Sequence, residues 1–182
     1  ALECIRLAEA VGFLPVQVFV RCLLALCLAE TGQAERALSI ANQALHVAET
    51  MMPVFGLSAV GALAVLAARS GRLDEAEAYA HRLDTAVQSR NPFAMLGIRE
   101  ARCIVGVALE QYDKVVAYVE GEVAALTQNG MVRSCAELQY YQSLALECLG
   151  RSEEALEVME AARMRAEALE SKRLLIPIHT QL

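Results

Sequence analysis

The chain has 182 residues, 56% of them hydrophobic but only 5% aromatic, and carries 16 Lys and Arg against 22 Asp and Glu, a formal charge of −6. That balance excludes the basic patch by which a nucleic-acid surface releases counterions, and it suits anionic membranes poorly. The longest apolar run, Leu57 to Ala68, is about 12 residues, short of the ~20 that span a bilayer. Ala and Leu, strong helix formers, supply much of the apolar fraction, and four prolines leave long stretches unbroken. The expected fold class is all-α. Six cysteines (Cys4, Cys22, Cys27, Cys103, Cys135, Cys148) show no CxxC spacing. They read as buried, reduced thiols of a cytoplasmic protein, with no zinc or redox site. No signal peptide is visible.

In chain order, residues 1–12 read as the second helix of a partial unit, stopped by Gly12. Because the sequence opens inside a helix, it reads as a piece of a larger protein. Pro15 to Thr31 is the next helix, with Pro at its first position, where the missing N–H costs nothing. Gly32 breaks it, and Gln33 to Glu49 follows, with Ala37, Ile40, Ala41, Ala44, Leu45 and Ala48 on one stripe. Met52-Pro53 opens the pair Pro53 to Ser70 and Arg72 to Ser89. Asn91-Pro92 opens the pair Pro92 to Glu110 and Tyr112 to Gln128. Asn129-Gly130 is a turn, and Val132 to Leu149 with Arg151 to Glu170 form a further pair. Ser171 begins another helix. The units are therefore 13–50, 51–90, 91–130 and 131–170, with partial units 1–12 and 171–182 in one repeat domain.

The pairs share a motif. Gly32-Gln33-Ala34-Glu35-Arg36-Ala37-Leu38 returns at Gly71-Arg72-Leu73-Asp74-Glu75-Ala76 and at Gly150-Arg151-Ser152-Glu153-Glu154-Ala155-Leu156. A degraded copy lies at Gln111-Tyr112-Asp113-Lys114-Val115-Val116, giving spacings of 39, 40 and 39 residues. A fixed period of this size marks a helical solenoid. Five residues after each anchor stand Ala37, Ala76, Val116 and Ala155. Seven before stand Ala25, Ala64, Ile104 and Ser143. The broken copy is where the geometry is expected to differ, with Gln111 turning the chain without glycine's freedom.

These small residues around an inter-helix Gly resemble the tetratricopeptide (TPR) family. The 39–40-residue period departs from the family's 34, and the family's first-helix Trp and Tyr are absent. The longer repeat is similar to the TPR-like regions of bacterial signalling ATPases, including LuxR-type and maltose-regulator-type activators and cyclase-like proteins with an AAA-type ATPase. The resemblance implies a right-handed superhelix of antiparallel helix pairs whose concave face is lined by first helices. Carrying over the family's inward positions gives Phe19, Cys22, Leu26, Val65, Arg69, Ile98, Arg102, Val105, Leu109, Glu137, Tyr140 and Leu144 as the candidate partner-binding surface. The Lys and Asn positions of carboxylate-clamp TPR modules are not matched.

The implied function is non-catalytic: a protein–protein interaction module of a signalling or transcription-regulatory protein. Its partner would be a protein, a peptide, or a neighbouring domain of the same chain, and its exposed solenoid ends would allow homodimerisation. The alternative is a small-ligand (inducer) sensor with a pocket inside the superhelix. No catalytic, cofactor-binding or metal-binding residues are expected, and any ATPase or cyclase activity would lie outside these residues. Arg99, Glu100, Arg102, Arg133, Glu137 and Gln139 form the most polar part of the first helices, either a binding patch or a solvated face. Tyr140 and Tyr141 are expected to point to different sides. His46, His81 and His179 are scattered, with Glu77 and Asp84 placed to pair His81. Glu153, Glu154, Glu157 and Glu160 precede Arg163 and Arg165, an order that suits the helix dipole.

Overall fold

Three residues suffice to turn one helix into the next along most of this chain. The computed structural model describes residues 2–51, 55–86 and 97–181, and these hold ten helices and no strand. They are α1 (Leu2–Ala10), α2 (Leu14–Glu30), α3 (Ala34–Met51), α4 (Gly56–Arg69), α5 (Leu73–Ala86), α6 (Ile98–Ala108), α7 (Tyr112–Gln128), α8 (Val132–Cys148), α9 (Ser152–Ala168) and α10 (Lys172–Gln181). The predicted openings at Met52-Pro53 and Asn91-Pro92 lie outside the described residues. Of the helix expected from Pro92 to Glu110 the described part is α6, preceded by Gly97 in a left-handed conformation (φ 81).

The turn recurs with the same bonds at Gly12, Gly32, Gly71, Gly130, Gly150 and Glu170. At the end of α2, the Gly32 N–H donates to the Ala29 carbonyl at 3.0 Å and the Gln33 N–H to that of Leu28 at 2.9 Å. This is the paired Schellman closure, which satisfies two carbonyls the helix would otherwise leave open. It needs a left-handed central residue, and Gly32 supplies it at φ 77. The Gln33 carbonyl then accepts the Ala37 N–H at 2.9 Å, so the residue that closes one helix opens the next. The Ala37 methyl is wholly buried where the two helices meet. The spacing of Gly and Ala in the motif is thus the length of this double closure.

The degraded copy obeys the same rule one residue earlier than expected. The left-handed residue is Glu110 (φ 56), not Gln111, and the Gln111 carbonyl accepts the Val115 N–H at 3.1 Å. Val115 therefore takes the alanine's place rather than Val116, and both are buried. The anchors become Gly32, Gly71, Glu110 and Gly150, spaced 39, 39 and 40. The position seven before becomes Ala25, Ala64, Cys103 and Ser143, all small and all buried. A side-chain pair confirms the register. The residue after each anchor bonds the one three further on: Gln33 with Arg36, Arg72 with Glu75 at 2.8 Å, Gln111 with Lys114 at 3.2 Å, and Arg151 with Glu154 at 2.6 Å. The Arg151 guanidinium holds the Glu154 carboxyl below its ordinary value through that hydrogen bond. Glu170 (φ 50) is a second non-glycine at a turn centre, between α9 and α10.

The chain divides into two compact units, 1–108 and 109–182. The division falls inside the predicted repeat 91–130, next to the turn that lacks glycine. In the first unit each helix packs on its successor, and α4 also packs on α2 and α6. Every residue of α4 from Ala59 to Ala68 is buried, so this helix is apolar all round because it is enclosed. Small side chains make the enclosure possible. A Cβ on Gly61 would lie 3.6 Å from the Ala101 Cβ of α6, and one on Gly56 4.0 Å from that of Ala48. Ala44, Ala48, Ala59 and Ala62 join Val18 and Cys22 in one part of the core, and Ala25, Leu28, Ala37, Ala41, Leu63 and Leu66 form another. In the second unit α7 packs on α8, α8 on α9, and α10 on both α8 and α9. There Ala136, Met159, Ala162 and Ala166 receive Leu174 and Ile178 from α10. First helices thus touch first helices within each unit, an arrangement compatible with a helical repeat array.

The turn geometry sets opposite signs for two substitutions. Gly32→Ala should destabilise the protein by ~1–2 kcal/mol, the cost of a left-handed L-residue, since no atom crowds the site. Glu110→Gly should stabilise it by a similar amount. Urea denaturation of both variants checks this; equal shifts of one sign would contradict it.

Candidate interaction surface

Helical spacing decides which first-helix positions remain accessible, because α2, α4 and α6 are covered on different sides. Among the candidates in the first unit, Cys22, Val65, Ile98 and Val105 are core residues, with Ile98 completely buried. Burial pushes the Cys22 thiol up to about 12. Leu26 is half-buried against the core of α2, α3 and α4. Phe19 alone of the apolar candidates in this unit is exposed, at 41%. The two arginines are engaged between helices: Arg69 of α4 with Glu30 of α2 at 3.6 Å, and Arg102 of α6 with Asp84 of α5 at 2.8 Å. Asp84, expected beside His81, is thus taken by Arg102. Arg99 and Glu100 are half-buried, and all three histidines are exposed.

In the second unit the candidates Leu109, Glu137, Tyr140 and Leu144 are all half-buried. Glu137 is held by Arg133 one turn away at 2.9 Å. Tyr140 packs on the Ala136, Met159 and Ile178 cluster, and burial pushes its phenol up. The expectation that Tyr140 and Tyr141 part company fails. Their rings meet edge to face, with centroids 5.2 Å apart and planes at 71°. That is a favoured aromatic geometry. Gln139 is buried and accepts from Arg165 of α9 at 2.9 Å. Arg163 bridges Glu160 at 2.7 Å and Glu167 at 2.5 Å. The polar residues singled out in sequence are therefore largely tied up in pairs within the protein.

Two features escaped the sequence reading. One is a polar network inside an apolar helix. Gln17 and Arg21 are both buried on α2. The Gln17 amide donates to the Ala8 carbonyl at 3.1 Å, and Arg21 donates to the Gln17 carbonyl at 3.2 Å and pairs with Glu9. The network fastens α1 to α2. Its signal was present: two polar residues four apart in an otherwise apolar run share a face and need partners once buried.

The other is a groove of about 330 Å³ in the second unit, lined by Ser143, Leu144, Glu147, Ser152, Ala155, Leu156, Met159 and Gln181. Its buried lining residues are Ser143, Ala155 and Met159. At its rim the Ser152 hydroxyl bonds the exposed Glu147 carboxylate at 3.2 Å. Of the twelve candidates only Leu144 lines it. The expectation of buried cysteines also holds only in part. All six are free thiols, but Cys4, Cys27 and Cys148 are exposed. The Tyr112 hydroxyl is pushed up chiefly by its hydrogen bond to Cys148.

Among the described residues no three His, Cys, Asp or Glu side chains come together as metal ligands, and no helix is long and apolar enough to cross a membrane. Compared with known proteins, the chain matches no family model and no curated sequence.

Two measurements test this arrangement. A thiol-disulfide reagent such as DTNB should modify three cysteines rapidly, Cys4, Cys27 and Cys148. The buried Cys22, Cys103 and Cys135 should react only after denaturation, and six fast thiols would contradict the packing. Glu9→Gln should cost the first unit ~1.5–3 kcal/mol, the range for hydrogen bonds to a charged group. Arg21→Met should cost less, since it leaves no unpaired buried charge. Chemical denaturation compares the two.

Proposed function

We propose that the chain is a TPR-like α-solenoid array of long repeats serving as a non-catalytic interaction module of a bacterial signalling or transcription-regulatory protein. In this reading the inward positions of the first helices bind a peptide, a helix or a neighbouring domain. The supporting observation is the division among those positions. Cys22, Val65, Ile98 and Val105 are core residues of the first unit, where Phe19 is exposed and Leu26 half-buried; in the second unit Tyr140 and Leu144 are half-buried and keep part of their apolar surface accessible. Partly exposed aromatic and aliphatic side chains on rigid helices are the usual anchors for an amphipathic helix.

The alternative is a sensor for a small apolar inducer. The groove at Leu144 has the volume for one, but it lies open at a charged rim.

Capture from a soluble extract separates the two readings. The wild-type chain should retain a defined set of proteins, and the Phe19→Asp/Leu144→Asp double variant should lose them while keeping its helical circular dichroism and melting transition. Retention of the same proteins by the folded double variant would refute the interaction reading. Thermal stabilisation of the wild-type chain by a small molecule, with no protein captured, would favour the sensor.

A further inference from the structure

The arginines of the second unit are not used alike. Arg133 bonds Glu137 at 2.9 Å, and Arg163 bonds Glu160 at 2.7 Å and Glu167 at 2.5 Å. Arg151 grips Glu154 with a fork, Nε donating to one carboxylate oxygen at 2.8 Å and Nη2 to the other at 2.6 Å. Arg165 of α9 bonds no carboxylate among the described residues. Its Nη1 donates to the Gln139 side-chain oxygen at 2.9 Å and to the Ala161 carbonyl at 3.2 Å. Its Nε and Nη2, the two nitrogens that Arg151 gives to Glu154, donate to no described group.

This open fork is held in place. Arg165 is half-buried, and Gln139 of α8, which anchors it, is 8% exposed. A guanidinium carries no acceptor, so the Gln139 oxygen must face it and the amide nitrogen must face away. That nitrogen also donates to no described group. Acceptors from both helices therefore fasten Nη1 in the α8–α9 seam. Little ordering of the Nε–Nη2 edge is left for a ligand to impose. The fork also stands apart from α10. Leu174 and Ile178 of α10 seat on Met159, Ala162 and Ala166, and Arg165 lies about 100° round the helix from Ala166.

A cation drawn partly out of water and given only neutral acceptors keeps an uncompensated charge. The planar Nε–Nη2 edge matches a planar carboxylate oxygen for oxygen, as Glu154 shows on Arg151. We propose that the Nε–Nη2 edge of Arg165, positioned by Gln139, is a binding site for a carboxylate carried by another molecule. The site is independent of the first-helix surface proposed above, since neither Phe19 nor Leu144 takes part in it.

The test titrates the isotope-labelled full chain with sodium succinate at constant ionic strength and follows arginine Nε–H and backbone amide resonances by NMR. The Arg165 Nε–H, identified by its loss in Arg165→Lys, should shift saturably, with the Gln139 and Ala161 amides. Arg165→Lys keeps the charge but loses the fork, and should weaken binding about tenfold by the amide readout. Gln139→Glu supplies a carboxylate from within the chain and should weaken it by a similar factor. If Gln139→Glu lost its helical circular dichroism, Arg165→Lys would decide alone. A blocked Ala-Ala-Glu-Ala-Ala peptide is the second probe. Tighter binding of the peptide than of succinate assigns the carboxylate to a polypeptide, weaker binding assigns it to a small acid, and either ranking supports the site. Shifts that never saturate and match those in sodium chloride would overturn the proposal. So would equal affinity in Arg165→Lys, or tighter binding of inorganic phosphate than of both carboxylate probes.

Discussion

A single left-handed residue between helices governs most of this protein's architecture. With it, the chain closes one helix and opens the next in three residues, and neither end leaves all its polar groups unpaired. The carbonyl of the residue after the turn accepts the first N–H of the new helix, so the start of that helix cannot slide. That fixed start is why the residue five after the turn is always on the same side. It faces the preceding helix at close range, which explains why Ala37, Ala76 and Ala155 are small and fully or almost fully buried. Where Glu110 stands in for glycine, the same hydrogen bond from Val115 to Gln111 persists. The left-handed conformation and the helix-opening bond are thus kept at an energetic cost, so the conformation, rather than glycine itself, is what the turn requires.

Short turns force close neighbours, and close neighbours need small side chains. The first unit meets that need with alanine and glycine on α3 and α4, and it encloses α4 on all sides. Such a core gains its stability from many modest contacts rather than from large aromatic residues. It also leaves few places for polar groups. Three of the buried polar residues, Gln17 and Arg21 in the first unit and Gln139 in the second, bond across a helix interface. They add direction to interfaces that would otherwise be held only by smooth apolar surfaces.

Much of this was legible from sequence because helix periodicity and turn chemistry are local. Gly12, Gly32, Gly71, Gly130 and Gly150 mark turn centres, and the predicted helices between them are found. What failed was also physical. Glu110 was missed because a non-glycine in the left-handed region carries no sequence signal. The register was therefore placed on Gln111, one residue late, and Cys103 was passed over for Ile104. The pairing of residues one and four after each anchor would have corrected it, since Gln111 and Lys114 match Arg151 and Glu154 in spacing. The candidate surface was less legible. It was carried from a family pattern, and whether a position such as Val105 is open or enclosed depends on neighbours far away in sequence. Ion-pair partners were misjudged for the same reason: Asp84 is near His81 in sequence but pairs with Arg102 on another helix.

The two helix pairs joined at Gly32 and Gly150 show how far one turn geometry tolerates a change of side chain. With the two turns aligned, Ala25 corresponds to Ser143, Ala29 to Glu147 and Ala34 to Ser152, while Leu26 and Leu38 keep their identity as Leu144 and Leu156. Ser143 is buried as Ala25 is, whereas Glu147 and Ser152 are exposed and bond each other at 3.2 Å. Polar groups cost free energy when they are buried without partners, so the exposed edge of the pair accepts a carboxylate and a hydroxyl while the seam between the helices keeps small side chains.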